Sequence, residues 1–194
     1  MPAIKAKQLE IITAAGEILS ESGFSGLTTK NLAARIGFSE SALYRHFKNK
    51  ETIVITMLTY LSEDMEYRFE ACLMAEGPPE QQLKKLINNQ FDFFKKNPHF
   101  LIAIFSDGLL EETPGINKAI NDIMAVMKKY LIRIIKRGQD SGDFTSNLSV
   151  LEIVHMIMGS MRLHTLQWRM SGYAFDIKGK GNKLMGSLIS LIKT

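Results

Sequence analysis

The sequence predicts an all-α protein in which a three-helix head carrying a helix-turn-helix is followed by a larger helical bundle domain, about nine helices in total. Three observations predict it. Apolar residues recur at spacings of three and four in segment after segment. Glycine, proline and polar breaks separate those segments: Ser22-Gly23, Gly37, Ala75 to Pro79, Asn97-Pro98, Glu111 to Gly115 and Gly138 to Gly142. The stretch from Leu27 to Lys50 reads as two short helices joined by a tight turn, followed by the start of a third.

Met1 to Ile4 form a loose arm, after which Lys5 and Lys7 either reach a phosphate or are merely solvated. A first helix is expected from about Ala6 to Glu21, with Leu9, Ile12, Ala15 and Leu19 as its buried stripe. Phe24 is expected to fill the small core of the head with Leu43 and Phe47. Thr28 is a good N-cap for the second helix, where Leu32, Ala33 and Ile36 give one apolar face. Gly37 comes next and can take the left-handed conformation that ends a helix; Phe38 is expected as a core plug in the turn. Ser39 caps a third helix running from Glu40 to about Phe47, with Leu43 and Phe47 inward.

The outward face of this third helix suits nucleic acid. Arg45 can grip guanine through two hydrogen bonds or pair with a phosphate. Ser41 can serve base edges or phosphate, and Tyr44 and His46 suit phosphate oxygens. Lys48 and Lys50 flank the next helix start, where free N–H groups favour an anion. Glu40 can accept from a cytosine amine and is expected to restrict sequence choice more than to add affinity. The full expected contact set is Thr28, Thr29, Lys30, Ser39, Glu40, Ser41, Ala42, Tyr44, Arg45, His46, Lys48 and Lys50.

The run GLTTKNLAARIGFSESALYRHFKNKETI resembles the DNA-binding segment of the TetR family of bacterial transcriptional regulators. The resemblance rests on the Thr-Thr opening the second helix, the Leu-Ala pair, the turn glycine, the Leu-Tyr and His-Phe pairs, and the Lys-x-Lys after them. It covers about the first quarter of the chain at residue level; beyond that it rests on length and helix pattern. It implies a two-domain homodimer that binds double-stranded DNA at a palindromic operator. It also implies repressor action that ends when a small molecule occupies the larger domain, with the last two helices pairing across a two-fold axis as a four-helix bundle.

Beyond the head, a fourth helix starts at the Asn49 cap and runs to about Leu73, with Ile53, Met57, Leu58, Leu61, Met65 and Phe69 inward. At about 36 Å it is long enough to belong to both the head and the larger domain. The domain boundary is placed here, with residues 1–48 for DNA binding and 49–194 for ligand binding and dimerisation. Leu83, Leu86, Ile87, Phe91 and Phe94 define a fifth helix, and a short apolar sixth spans about Phe100 to Leu110. Ile116, Ile120, Ile123, Met127, Tyr130 and Ile134 mark the seventh. The eighth, about Val150 to Met170, is apolar nearly all round and must be covered twice. The last, about Asn182 to Lys193, carries Met185, Leu188, Ile189 and Ile192; together the two helices read as a dimer interface.

Composition narrows the function classes. No run of about 18 apolar residues suggests a membrane span, no signal peptide is visible, and the expected location is cytoplasmic. The single cysteine, Cys72, is expected to be inert packing. No nucleophile–base pair, metal-ligand set or phosphate loop supports an enzyme, a cofactor or a metal, and His155 and His164 lack a third ligand at helical spacing. Through residue 50, seven bases and four acids give +3 of the total +4, a concentration suited to DNA.

Eleven Met and eleven Phe supply an adaptable apolar interior. The expected pocket for a small apolar ligand is lined by Met65, Phe91, Phe94, Phe105, Met124, Met127 and Met158, with His155 and Trp168 as polar-edged members. The rival reading keeps DNA binding and drops the ligand: a constitutive or architectural factor.

Overall fold

The computed structural model describes residues 4–74, 77–101 and 113–194, and these fold into eight helices. They are α1 (Ala6–Gly26), α2 (Thr29–Ile36), α3 (Glu40–Tyr44), α4 (Lys50–Met74), α5 (Pro79–Lys96), α6 (Pro114–Asp140), α7 (Val150–Met170) and α8 (Ile177–Ile192). The only β pairing among the described residues is an isolated antiparallel bridge between Phe144 and Lys193. None of their helices is long and apolar enough to cross a membrane. The helix expected at Phe100 to Leu110 lies, but for its first two residues, outside the described residues.

The chain forms two compact units. The first joins Met1–Met65 to Asn97–Met124; the second joins Glu66–Lys96 to Ala125–Thr194. Helices α4 and α6 each contribute residues to both.

In the first unit, Ile11, Ile12, Ala15, Leu19, Leu27, Leu32, Leu43 and Phe47 are all buried. α1 changes course at Gly23, whose φ of 66° and ψ of −170° suit a residue without a Cβ. Leu27 is buried where Phe24 was expected to be; Phe24 is only half-buried, with the Lys50 ammonium 3.5 Å from its ring centroid. Phe38 likewise is half-buried rather than a core plug, with the Lys7 ammonium 4.7 Å above it. Farther along, the edge of α1 at Gly16 meets His99 and Phe100, where an added Cβ would lie 3.1–3.3 Å from their rings.

In the second unit, Phe69, Leu83, Leu86, Ile87, Phe91, Tyr130, Ile134, Ile153, Ile157, Met185 and Ile189 form the interior. Phe69 meets Tyr130 edge-on, with ring centroids 5.7 Å apart. Tyr130 donates to Glu70 at 2.8 Å, and burial with that carboxylate beside it pushes the phenol far above its usual range. α8 packs against both α5 and α7. The approach to α5 is closest at Gly181, where a Cβ would fall 2.5 Å from the Phe91 ring. α8 therefore begins at Ile177, five residues before the expected start. Asp176 caps it by accepting from the Gly179 N–H at 3.1 Å, and the glycines there serve close packing rather than a loop. α7 opens with a reciprocal capping box: Ser149 Oγ accepts from the Glu152 N–H, and Glu152 accepts from the Ser149 N–H at 2.7 Å. The Cys72 thiol is half-buried, and burial pushes its pKa up.

Candidate functional site

The helix-turn-helix is set by two caps and one glycine. Thr28 Oγ1 accepts from the Asn31 N–H at 3.1 Å, opening α2. Gly37 has φ 69° and ψ 28°; its N–H reaches Ala34 O, and the Phe38 N–H reaches Ala33 O at 2.9 Å. This pair of bonds closes α2 and reverses the chain. Ser39 Oγ then accepts from the Ala42 N–H at 3.2 Å, opening α3. Across the turn the Thr29 hydroxyl donates to Glu40 at 2.9 Å. α2 is tied back to α1 by Arg35, which bonds Glu21 and Glu17 at 2.5–3.4 Å. The hydrogen bond between Arg35 and Glu21 lowers the Glu21 pKa and raises that of Arg35.

α3 is shorter than the expected Glu40-to-Phe47 helix. Regular geometry stops at Tyr44, because the Arg45 and His46 N–H groups turn to carbonyls three residues back, Ala42 O and Leu43 O. That tightened turn drives Phe47 into the core and lets Asn49 cap α4, its Oδ1 accepting from the Thr52 N–H at 2.8 Å.

Of the twelve expected DNA-contacting residues, Thr28, Lys30, Ser39, Glu40, Ser41, Tyr44, Arg45 and Lys48 are exposed. Thr29, Ala42, His46 and Lys50 are half-buried. The side chains of Lys30, Tyr44, Arg45 and Lys48 make no polar bond among the described residues, so each is at liberty to meet a ligand. Others already have work inside the head. Ser39 and Ser41 share a bond at 2.9 Å, and Glu40 holds Thr29. Lys50 donates to Phe24 O at 3.2 Å with its ammonium 3.5 Å from the Phe24 ring centroid. Sequence spacing placed Lys50 at a helix start but could not show that a ring and a carbonyl wait there.

This contrast sets the first prediction. Arg45→Ala should relax base preference as well as affinity, by about 1–3 kcal/mol if it holds a base edge through two bonds. Lys50→Ala should lower the melting temperature of the head, since a cation over a ring and its hydrogen bond are each worth about 0.5–1.5 kcal/mol. Thermal melts and binding to a panel of operator variants separate the two; a Lys50→Ala protein that melts like wild type would return Lys50 to phosphate duty alone.

The expected pocket residues divide. Met65, Phe91, Phe94 and Trp168 are buried, and Met127 and Met158 are half-buried. Phe105 lies outside the described residues. Met124 and His155 are corrections: Met124 is 43 % exposed and His155 is also exposed. Ile123 and Val154, their immediate neighbours, take the inward positions, and one helical step of about 100° turns the next side chain out. Gln90 is the residue that sequence reasoning missed. It is fully buried on α5, and its Nε2 has no acceptor. A polar residue between Leu86 and Phe91 on an apolar face was the available signal. Two surface clefts of about 540 and 250 Å³ lie elsewhere, one between α1 and α2 and one between α5 and α8; none of the eight described residues lines them. Among the described residues no group of three or more His, Cys, Asp or Glu is placed to hold a metal.

Two family models match stretches of this chain. Residues 11–57 match the model described as bacterial regulatory proteins, tetR family, and residues 61–191 match the C-terminal region of YsiA-like protein. The fatty acid metabolism regulator protein of Bacillus subtilis is 24% identical over 186 residues, 96% of this chain and 95% of that one. Nucleoid occlusion factor SlmA of Vibrio cholerae is 25% identical over 157 residues, 78% and 80% of the two chains. Among solved structures, the transcriptional regulator FadR from Bacillus subtilis in complex with stearoyl-CoA shares the fold at a TM-score of 0.83, with 24% identity over 94% of this chain and 97% of that one. The ketosteroid transcriptional regulator KstR2 of Mycobacterium tuberculosis does so at 0.82, with 18% identity over 98% and 97%.

Proposed function

This chain belongs to the tetR family of bacterial regulatory proteins, and on that premise we propose that it is a homodimeric repressor released from a palindromic operator by a small, largely apolar ligand. The observation that carries the DNA half of this reading is the head itself: α3 is held by its Ser39 cap and a core, and Tyr44, Arg45 and Lys48 stand exposed and unbonded along it and just beyond. Residues 1–48 would read DNA, and residues 49–194 would bind the ligand and dimerise. A protein reading chromosomal operators works in the cytoplasm.

The ligand half draws on the likeness to a regulator of fatty acid metabolism and to a fold-mate that carries stearoyl-CoA. It makes a fatty-acyl compound the first class to test. α4 supplies a physical route for release. Its first residue is bonded to the head through Phe24, and its last nine residues, Glu66–Met74, belong to the second unit. A ligand that shifts α4 alters the separation of two recognition helices, and a dimer mismatched to its half-sites loses one head's contacts. The ligand can shift this equilibrium only by its differential affinity for the two states.

The likeness to a nucleoid occlusion factor favours the second reading, a DNA-binding protein without a ligand. Selection of bound sequences from random DNA, followed by screening compounds for release, tests both. An approximately palindromic site with half-sites about 34–36 Å apart is expected. An asymmetric site contacted by one protomer would sink the dimeric reading, and a palindromic site from which no acyl compound releases the protein would favour the ligand-free one.

A further inference from the structure

Among the described residues of the second unit, two buried side-chain polar atoms lack a partner, Gln90 Nε2 and Trp168 Nε1, and both are N–H donors. Gln90 is 0% exposed and Trp168 5%. The amide orientation of Gln90 is set by its surroundings: both Nη atoms of Arg68 lie 3.4 Å from its Oε1, which leaves the NH₂ end without an acceptor. The two donors stand on helices that meet. Phe91, next to Gln90 on α5, packs edge-on against His164, one turn before Trp168 on α7, with ring centroids 5.5 Å apart. His164 itself is satisfied, its Nε2 lying 2.9 Å from Ile177 O.

A buried donor left unmade is costly, and native interiors seldom keep one without a use. Two of the same sign in one apolar interior specify the chemistry that would complete them: a molecule offering acceptors and an apolar body. A hydroxyl-rich or cationic ligand would bring more donors to a place already in surplus. We propose that Gln90 Nε2 is the anchor for the carbonyl oxygen of an acyl ligand, with the acyl chain lying among the aromatic residues of α5 and α7. This rests on the ligand-responsive reading above and deepens it to a residue and a functional group. Both donors are sealed from solvent, so the chain enters only as neighbouring side chains repack. Arg68, whose guanidinium bonds Asn89 and Gln90 and lies 4.3 Å from the Phe93 ring, is on α4. Engagement of Gln90 by a ligand therefore acts directly on the α4–α5 contact.

The test compares palmitoyl-CoA, palmitate and S-hexadecyl-CoA, the thioether that lacks the carbonyl oxygen, by calorimetry on the full chain. Trp168 is the sole tryptophan, so its emission reports occupancy independently. Wild type should bind the thioester about tenfold more tightly than the thioether, the ordinary worth of one buried hydrogen bond. Gln90→Met, similar in length and without a donor, should bind the two alike at the weaker affinity. The variant removes both the unmade donor and the acceptor of Arg68, so a melt alongside the titrations checks that it is folded. Palmitate bound as tightly as palmitoyl-CoA would make the free acid the ligand and keep the carbonyl contact. Equal wild-type affinity for thioester and thioether overturns the anchor and needs no variant to show it. A folded Gln90→Met protein that binds palmitoyl-CoA like wild type also overturns the anchor and leaves ligand response standing. Failure of wild type to bind any of the three removes the acyl-ligand reading together with the anchor.

Discussion

A Leu163→Asp, Leu191→Asp double variant is expected to be monomeric and to lose operator affinity by roughly 10²–10⁴, the gain that linking two binding modules normally confers. Leu163 is 57% and Leu191 73% exposed, so neither supports the interior of its own chain. On α7, Met156, Gly159, Leu163 and Met170 succeed one another at three, four and seven residues. All four are exposed. On α8, Leu184, Ser187 and Leu191 repeat the three-four step. An added Cβ at Gly159 would meet nothing within 4 Å, which leaves a small-residue site at the middle of the stripe for another helix to approach. Two aspartates per protomer would put four charges into the seam of a symmetric dimer, where each residue meets its own copy or a near neighbour. Surface substitutions cost a folded monomer little, within about 0.5 kcal/mol. Sedimentation should therefore report a halved mass with unchanged helix content. A dimer of undiminished affinity would place the interface on another face.

Operator DNA should weaken binding of the releasing ligand by the same factor, about 5–150-fold, by which that ligand weakens operator binding. The equality is a matter of thermodynamic linkage and does not depend on the path of the coupling. Two titrations of a long-chain acyl thioester, one with the isolated protein and one with saturating operator, measure it. Identical ligand affinities in the two would remove the allosteric reading and leave a DNA-binding protein that ignores its ligand. In a Gln90→Met protein the ligand affinities should fall in both titrations and their ratio should move toward one, because Gln90 also holds Arg68 of α4.

The head was legible because its signals are local. Thr28, Gly37, Ser39 and Asn49 each act within a few residues of where they stand, and each forms the cap or turn its type suggests. α4, α5 and α7 were readable from apolar spacing and start or stop within a residue or two of their expected places. What could not be read were facts that depend on distant partners. The early start of α8 rests on Gly181 fitting against Phe91, ninety residues away in sequence. The tethering of Lys50 rests on Phe24. Exposure of Met124 and His155 depends on which of two adjacent residues faces in, and periodicity alone leaves that choice open along helices with apolar residues on several sides. Gln90 escaped notice since a lone glutamine carries no motif; only its burial with an unmade bond distinguishes it.

The brevity of α3 has a consequence for how the head opens. Five residues are far below the roughly 12–15 that an isolated helix needs to persist in water. Its order is therefore lent to it by Leu43 and Phe47 in the core and by its cap at Ser39. A fluctuation that frees those two side chains melts the helix at once, and nothing half-formed remains to scan a groove. The backbone amides of α3 should then exchange with solvent on the schedule of the whole three-helix head rather than on their own. Reading DNA is in this sense a cooperative property of some fifty residues, and any change that loosens the head's interior is felt first as silence at the operator.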